Sequence, residues 1–220
     1  MSARTRIKLC GLSRPQDVAA AVALGADAIG LVFYPPSPRH VSPPQAADLL
    51  AQLPAFVTAV GLFVNPELSE VQACIAAAPI SMLQFHGDET PQDCAAIAEQ
   101  VRRPFLRALR IRPTTTAADL LEFEHAYRTS SPLFAGLLLD TWSDAYGGTG
   151  KVFDWSLIPA ELAHRAVLSG GLNAQNATDA VRRLRPHAVD VSSGIESAKG
   201  VKDVALMRAF IAAVRSADHE

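Results

Sequence analysis

The chain contains no apolar run long enough to cross a membrane: Ala19 to Leu24 falls far short of the ~20 residues a spanning helix needs, and charge follows at Asp27. Charge of one sign is also missing. A formal net charge of −2 gives no general attraction to nucleic acid or to an anionic membrane, so neither is expected as a partner. The basic N-terminus lacks the long apolar region of a secretion signal, which makes the cytoplasm the expected location. Cysteine is scarce. Cys10, Cys74 and Cys94 are odd in number and fit no zinc spacing, so neither a disulfide framework nor a metal cluster is expected, in keeping with a reducing compartment. Cys74 and Cys94 lie in Ala-rich helical stretches and read as small buried residues.

Apolar residues are plentiful. They make up 49% of the 220 residues, enough for a sizeable core in one large domain or two small ones. Short, almost wholly apolar runs alternate with amphipathic segments. The runs are 7–10, 28–33, 57–63, 80–85, 105–109, 134–139, 166–169 and 188–191. The predicted helices are 15–24, 44–53, 67–77, 91–101, 117–127, a short one near 156–163, 174–184 and 204–215. Strands apolar on both faces are the mark of a parallel sheet covered on both sides. Several helices open on Pro or a small polar residue, as at Ser13-Arg14-Pro15 and Thr90-Pro91. No composition break divides the chain, so residues 1–220 are expected to form one α/β domain. Alternation alone also suits an open doubly wound sheet; the count of eight units favours a (β/α)₈ barrel.

In such a barrel chemistry sits at the C-terminal ends of the strands, here Cys10, Phe33, Phe63, His86, Arg110, Asp140, Gly170 and Ser192. Ser169-Gly170-Gly171-Leu172 and Ser192-Ser193-Gly194 fall at the seventh and eighth ends. Glycines there are either ordinary tight turns or a phosphate site built from free N–H groups, and 195–200 has room for one extra helical turn. Asp140 is either a poorly solvated general acid or a loop-capping carboxylate. Cys10 is either a small buried hydrophobe or a base, and a base needs a thiolate and hence a lowered pKa; Lys8, two residues earlier, shares its face of the strand. Arg39, in the proline-stiffened stretch Pro35-Pro36-Ser37-Pro38, is either a solvated cation or a fork for a planar carboxylate. His86 is placed to bind substrate or to satisfy a backbone carbonyl. Gly147-Gly148-Thr149-Gly150-Lys151 looks like the tail of a P-loop but has Val152 where Ser or Thr belongs and Ala145 where the first Gly belongs. Its loop, 140–154, is a cover over the site or a plain surface loop.

Seven pieces resemble, in order, those of the phosphoribosylanthranilate isomerase family. They are Lys8-Leu9-Cys10-Gly11, Gly30-Leu31-Val32-Phe33-Tyr34 with Ser37-Pro38-Arg39, Gln84-Phe85-His86-Gly87, Leu139-Asp140-Thr141, Gly147-Gly148-Thr149-Gly150, Ser169-Gly170-Gly171-Leu172 and Asp190-Val191-Ser192-Ser193-Gly194. Departures are small: Leu9 where Ile is common, Ser169 where Ala is common, and Pro36. The resemblance implies an Amadori rearrangement of N-(5-phosphoribosyl)anthranilate to the 1-deoxyribulose 5-phosphate derivative. By the same resemblance Asp140 is the general acid and Cys10 the general base, a pairing reversed from ordinary protonation at neutral pH. Arg39 would bind the anthranilate carboxylate, and Gly171, Ser193 and Gly194 the phosphate through backbone amides. His86 also stands among the substrate-binding positions, and Asp190 would bond a ribose hydroxyl. No cofactor or metal is expected, and the expected partner is a small-molecule phosphosugar. The chain is expected to act as a monomer, a homodimer being the alternative. The related sugar isomerase of histidine biosynthesis uses two aspartates, which Cys10 argues against. Indole-glycerol-phosphate synthase relies on a Lys and Glu set that this sequence does not show. A silent phosphosugar-binding barrel would have no need of both Cys10 and Asp140.

Overall fold

The computed structural model describes residues 4–141 and 153–218. The Gly147–Lys151 stretch therefore lies outside the described residues, as does most of the expected cover loop. Eight parallel strands close into a barrel in the order β1 to β8, with β1 hydrogen-bonded to β8. The strands are β1 (Arg6–Cys10), β2 (Ala28–Val32), β3 (Thr58–Phe63), β4 (Met82–Phe85), β5 (Phe105–Ile111), β6 (Phe134–Thr141), β7 (Val167–Leu168) and β8 (Ala188–Val191). Between and after them run α1 (Pro15–Ala23), α2 (Pro43–Leu50), α3 (Leu68–Ala77), α4 (Pro91–Val101), α5 (Ala117–Ser130), α6 (Ala160–Ala163), α7 (Ala177–Leu184) and α8 (Val204–Asp218). Proline opens α1, α2 and α4, where its missing N–H is no loss. Ser42, Thr90 and Thr116 cap α2, α4 and α5 through reciprocal side-chain bonds with the residue three positions on.

Alternation along each strand sorts the side chains. The outward faces form a large core with the helices, including Leu9, Ile29, Leu83, Phe105 and Leu139. The inward faces fill the barrel in two parts: Leu106, Ala108, Leu138, Val167 and Ala188 in one cluster, and Cys10, Val32 and Leu62 in another. Lys8, Gln84, Asp140 and Asp190 share the inward parity and are buried.

Three sequence expectations change. Strand β5 runs on to Ile111, so Arg110 sits within it and not at its end. Helix α7 begins at Ala177, three residues later than expected. There the Asn173 and Asn176 side chains bond local backbone, with Asn176 Oδ1 accepting from Asn173 N–H at 2.9 Å and Asn176 Nδ2 donating to the Gly171 carbonyl at 3.0 Å. The helical turn after β8 covers Ser193–Ile195, while the next residues form an antiparallel ribbon of β9 (Glu196–Ala198) and β10 (Val201–Lys202). Gly200 turns the ribbon with φ +81°, and a Cβ there would lie 2.8 Å from the Pro38 carbonyl oxygen.

Candidate active site

A single pocket at the C-terminal mouth is lined by Cys10, Arg39, His86, Asp140, Gly171, Asp190 and Ser193, together with Tyr34, Gln84 and Ser169. Seven of the eight sequence-predicted site residues thus meet in one place. Gly194, the eighth, packs behind the lining. A Cβ there would fall 2.0 Å from the Leu172 carbonyl oxygen, so the loops after β7 and β8 touch backbone to backbone. Gly170 and Gly171 both hold left-handed backbone, with φ of +81° and +66°. Ser193 and Gly194 open a 3₁₀ turn, and N–H groups in that position have no partner inside the turn.

Cys10 ends β1 and is 4% exposed. Lys8 comes from the same inward face, and its Nζ donates to Asp190 Oδ1 at 2.7 Å across the β1–β8 seam, where the two residues are register partners. Ser169 Oγ bonds the other Asp190 oxygen at 3.2 Å. Lys8 and Ser169 thus engage both Asp190 oxygens, which leaves only the remaining lone pairs for a further donor. Burial pushes the Cys10 thiol up, Lys8 pulls it down, Asp190 raises it again and Lys202 lowers it, with a net rise. The expected depression is absent because burial outweighs a lysine whose charge is already matched by Asp190. Burial works against Lys8 as well, but Asp190 and Cys10 more than restore its charge.

Gly30 of β2 leaves the space that Cys10 and Lys8 occupy. A Cβ there would lie 2.6 Å from Cys10 Sγ and 3.1 Å from Lys8 Nζ. Gly30→Ala is expected to displace the thiol and to cost about 1–3 kcal/mol of stability through overpacking. Thermal unfolding and kcat measured together check this, and a variant matching wild type in both would refute it.

Asp140 enters from β6. Its Oδ1 accepts the Thr141 N–H at 2.8 Å, and its Oδ2 lies 3.1 Å from His86 Nε2. His86 Nδ1 is in turn 3.1 Å from Gln84 Nε2, two residues back on β4. Among the described residues His86 meets no backbone carbonyl, and both ring nitrogens are engaged by side chains.

Arg39 is 8% exposed. The Ser37 side chain bonds its backbone N–H, and a Cβ on Gly11 would strike Arg39 Cδ at 2.5 Å, so the chain wraps it closely. Its Nε and Nη2 donate to the two Glu196 oxygens at 2.6 and 2.8 Å. Lys202 Nζ donates to Glu196 Oε1 at 2.7 Å and to the Ser192 carbonyl at 2.9 Å. Burial works against the Glu196 charge, but Arg39 and Lys202 overcome it and bring its pKa to about 2. Two cations about one anion leave one positive charge over, and the Nη1 edge of Arg39 is not used by Glu196.

Sequence reasoning missed Gln84, Glu196 and Lys202. Gln84 carried a signal, since it shares strand parity with His86. Glu196 and Lys202 carried none until the ribbon brought them beneath Arg39.

The model of the N-(5′-phosphoribosyl)anthranilate (PRA) isomerase family matches residues 7–213. The chain is 67% identical over 215 residues to N-(5′-phosphoribosyl)anthranilate isomerase of Herminiimonas arsenicoxydans, covering 98% of this chain and 95% of that protein. The crystal structure of phosphoribosyl anthranilate isomerase from Thermotoga maritima aligns at a TM-score of 0.84 with 39% identity, over 96% of this chain and 99% of that one. A structure of such an enzyme in complex with reduced 1-(o-carboxyphenylamino)-1-deoxyribulose 5-phosphate aligns at 0.81 with 37% identity, again over 96% and 99%. With matches across nearly its whole length, the chain belongs to the N-(5′-phosphoribosyl)anthranilate isomerase family.

Proposed function

We propose that this barrel converts N-(5′-phosphoribosyl)anthranilate to 1-(2-carboxyphenylamino)-1-deoxyribulose 5-phosphate in tryptophan biosynthesis, with Asp140 as acid and Cys10 as base. The observation that carries the assignment is that these two groups, from β6 and β1, line one pocket with the β7 and β8 loops on its wall. Asp140 protonates the ribose ring oxygen, the bond from C1 to that oxygen breaks, and an iminium forms at C1. Cys10 then removes the proton at C2. The resulting enolamine takes a proton at C1 and settles as the ketone. No electrons leave or enter. A cation forming beside a thiol in a poorly solvated pocket favours the thiolate. This accounts for a base whose thiol stands high in the free site.

The phosphate is assigned to the backbone N–H groups of Gly171, Ser193 and Gly194. The anthranilate carboxylate is assigned to the Nη1 edge of Arg39. Arg39→Ala removes a charge-assisted bond of ~2 kcal/mol, so KM is expected to rise about 30-fold with a smaller change in kcat. Steady-state kinetics read this directly, and an unchanged KM takes Arg39 out of the site. The activity itself is tested by the fluorescence of the anthranilate substrate, which falls on turnover, and by complementation of a tryptophan auxotroph lacking this step. Binding of the phosphosugar without turnover would favour a silent barrel instead.

The proposed working form is a monomer in the cytoplasm. A homodimer is the alternative, favoured by Phe56, which is fully exposed with φ 69° in the loop before β3. Sedimentation separates the two.

A further inference from the structure

Gln84 is 0% exposed, and its Oε1 has no hydrogen-bond partner, although leaving a buried acceptor unpaired is costly. Its other end faces His86. With Gln84 Nε2 donating to His86 Nδ1, that ring nitrogen is an acceptor and the ring proton sits on Nε2, where it donates to Asp140 Oδ2. This is the arrangement of an ionised Asp140. If the amide is turned over, Oε1 faces Nδ1, and Nδ1 must carry a hydrogen. His86 Nε2 then either accepts a proton from a neutral Asp140 or holds that same proton against the carboxylate. Both cases contain one proton more than the first. The two amide orientations thus correspond to an empty and a loaded His86–Asp140 pair. A fixed backbone carbonyl or amide could serve only one of them.

Resting on the assignment of Asp140 as the acid, we infer that Gln84 is a positioning residue: its side-chain amide turns over as the His86–Asp140 pair gives up and regains its proton. When the ring oxygen takes the proton, the pair passes from loaded to empty, and the amide passes from acceptor to donor. The next proton from solvent reverses both changes.

Other ionisable groups neighbour the pair on the adjoining strands and in the pocket. Arg110, the register partner of Asp140 on β5, is ion-paired with Asp88 at 2.5 Å. Cys10, Tyr34 and Arg39 line the same pocket, as does Asp190, which Lys8 holds. All of them are common to the variant and the wild type compared below, so a difference between the two reports position 84.

The test combines ¹⁵N NMR of the His86 ring with the pH profile of kcat, for the wild type and Gln84→Glu. In the wild type, the ring is expected to carry its proton on Nε2 alone above the descending limb and to have Nδ1 protonated below it. A carboxylate at position 84 accepts but cannot donate. Gln84→Glu should therefore keep Nδ1 protonated throughout and move the descending limb up by at least one pH unit, a tenfold change in proton retention. Wild-type Nδ1 with the same protonation on both sides of the limb would overturn the inference, as would a Gln84→Glu profile that overlays the wild type. The wild-type spectra alone decide the matter if the variant does not fold. Full activity in Asp140→Asn is a separate failure, because it would remove the acid assignment and this inference with it.

Discussion

Cys10→Ala should retain the fold and lose about 10³–10⁴-fold in kcat, the upper range for removal of a general base. The thiol is small and buried, so truncation leaves only a small void and is expected to cost about 1 kcal/mol. KM should change little, because the groups assigned to phosphate and carboxylate lie on other loops. Cys10→Ser should fare hardly better than alanine, since an alcohol is a far weaker acid than a thiol. The pH profile carries further information. Burial holds the free thiol above its ordinary value, so the thiolate is a minority of the free enzyme. A bell-shaped kcat/KM profile still results, but its limbs belong to the pair and cannot be assigned from shape alone. Loss of one limb in the Cys10 variants assigns it. Turnover within tenfold of wild type in Cys10→Ala would remove the sulfur from the reaction.

Asp140→Asn is expected to lose about 10²–10⁴-fold in kcat while staying folded. The asparagine oxygen can still accept from Thr141 N–H or from His86 Nε2–H, so the bonds that orient the side chain survive in large part. Only the transferable proton is lost. Ring opening should then limit the rate, and a substrate analogue whose ribose is already open should bind as well as it does to wild type. Stopped-flow fluorescence of the anthranilate group follows the step, with thermal unfolding as the control for the fold. An Asn variant that restores growth of the auxotroph at the wild-type rate would refute the acid assignment.

Much of this was legible in the chain because a parallel barrel strand is buried on both faces, which leaves a short apolar run that needs no partner to be recognised. The strand parity that sends Lys8, Cys10 and Asp140 inward could be read for the same reason, and it set Cys10 and Asp140 on one rim. What escaped recognition depends on long-range contact. Arg39 and Glu196 are 157 positions apart, and nothing local to either announces the pair. The depressed thiol expected from Lys8 failed because burial raises the thiol and because Asp190, 182 positions away, claims the lysine. The late start of α7 failed for a local reason, since Asn173 and Asn176 spend their side chains on backbone that a helix would otherwise use.

The ribbon of β9 and β10 divides the labour of the molecule. Cys10 and Asp140 are anchored in the closed cylinder, where moving one strand would disturb two neighbours. The guanidinium assigned to the aromatic half of the substrate rests instead on a short add-on bracket, tied down by Glu196 and Lys202 and turning at Gly200 against Pro38. Reactivity and selectivity can therefore drift apart during divergence: exchanging this bracket would retune which amine is accepted while the groups assigned to proton transfer stay as they are.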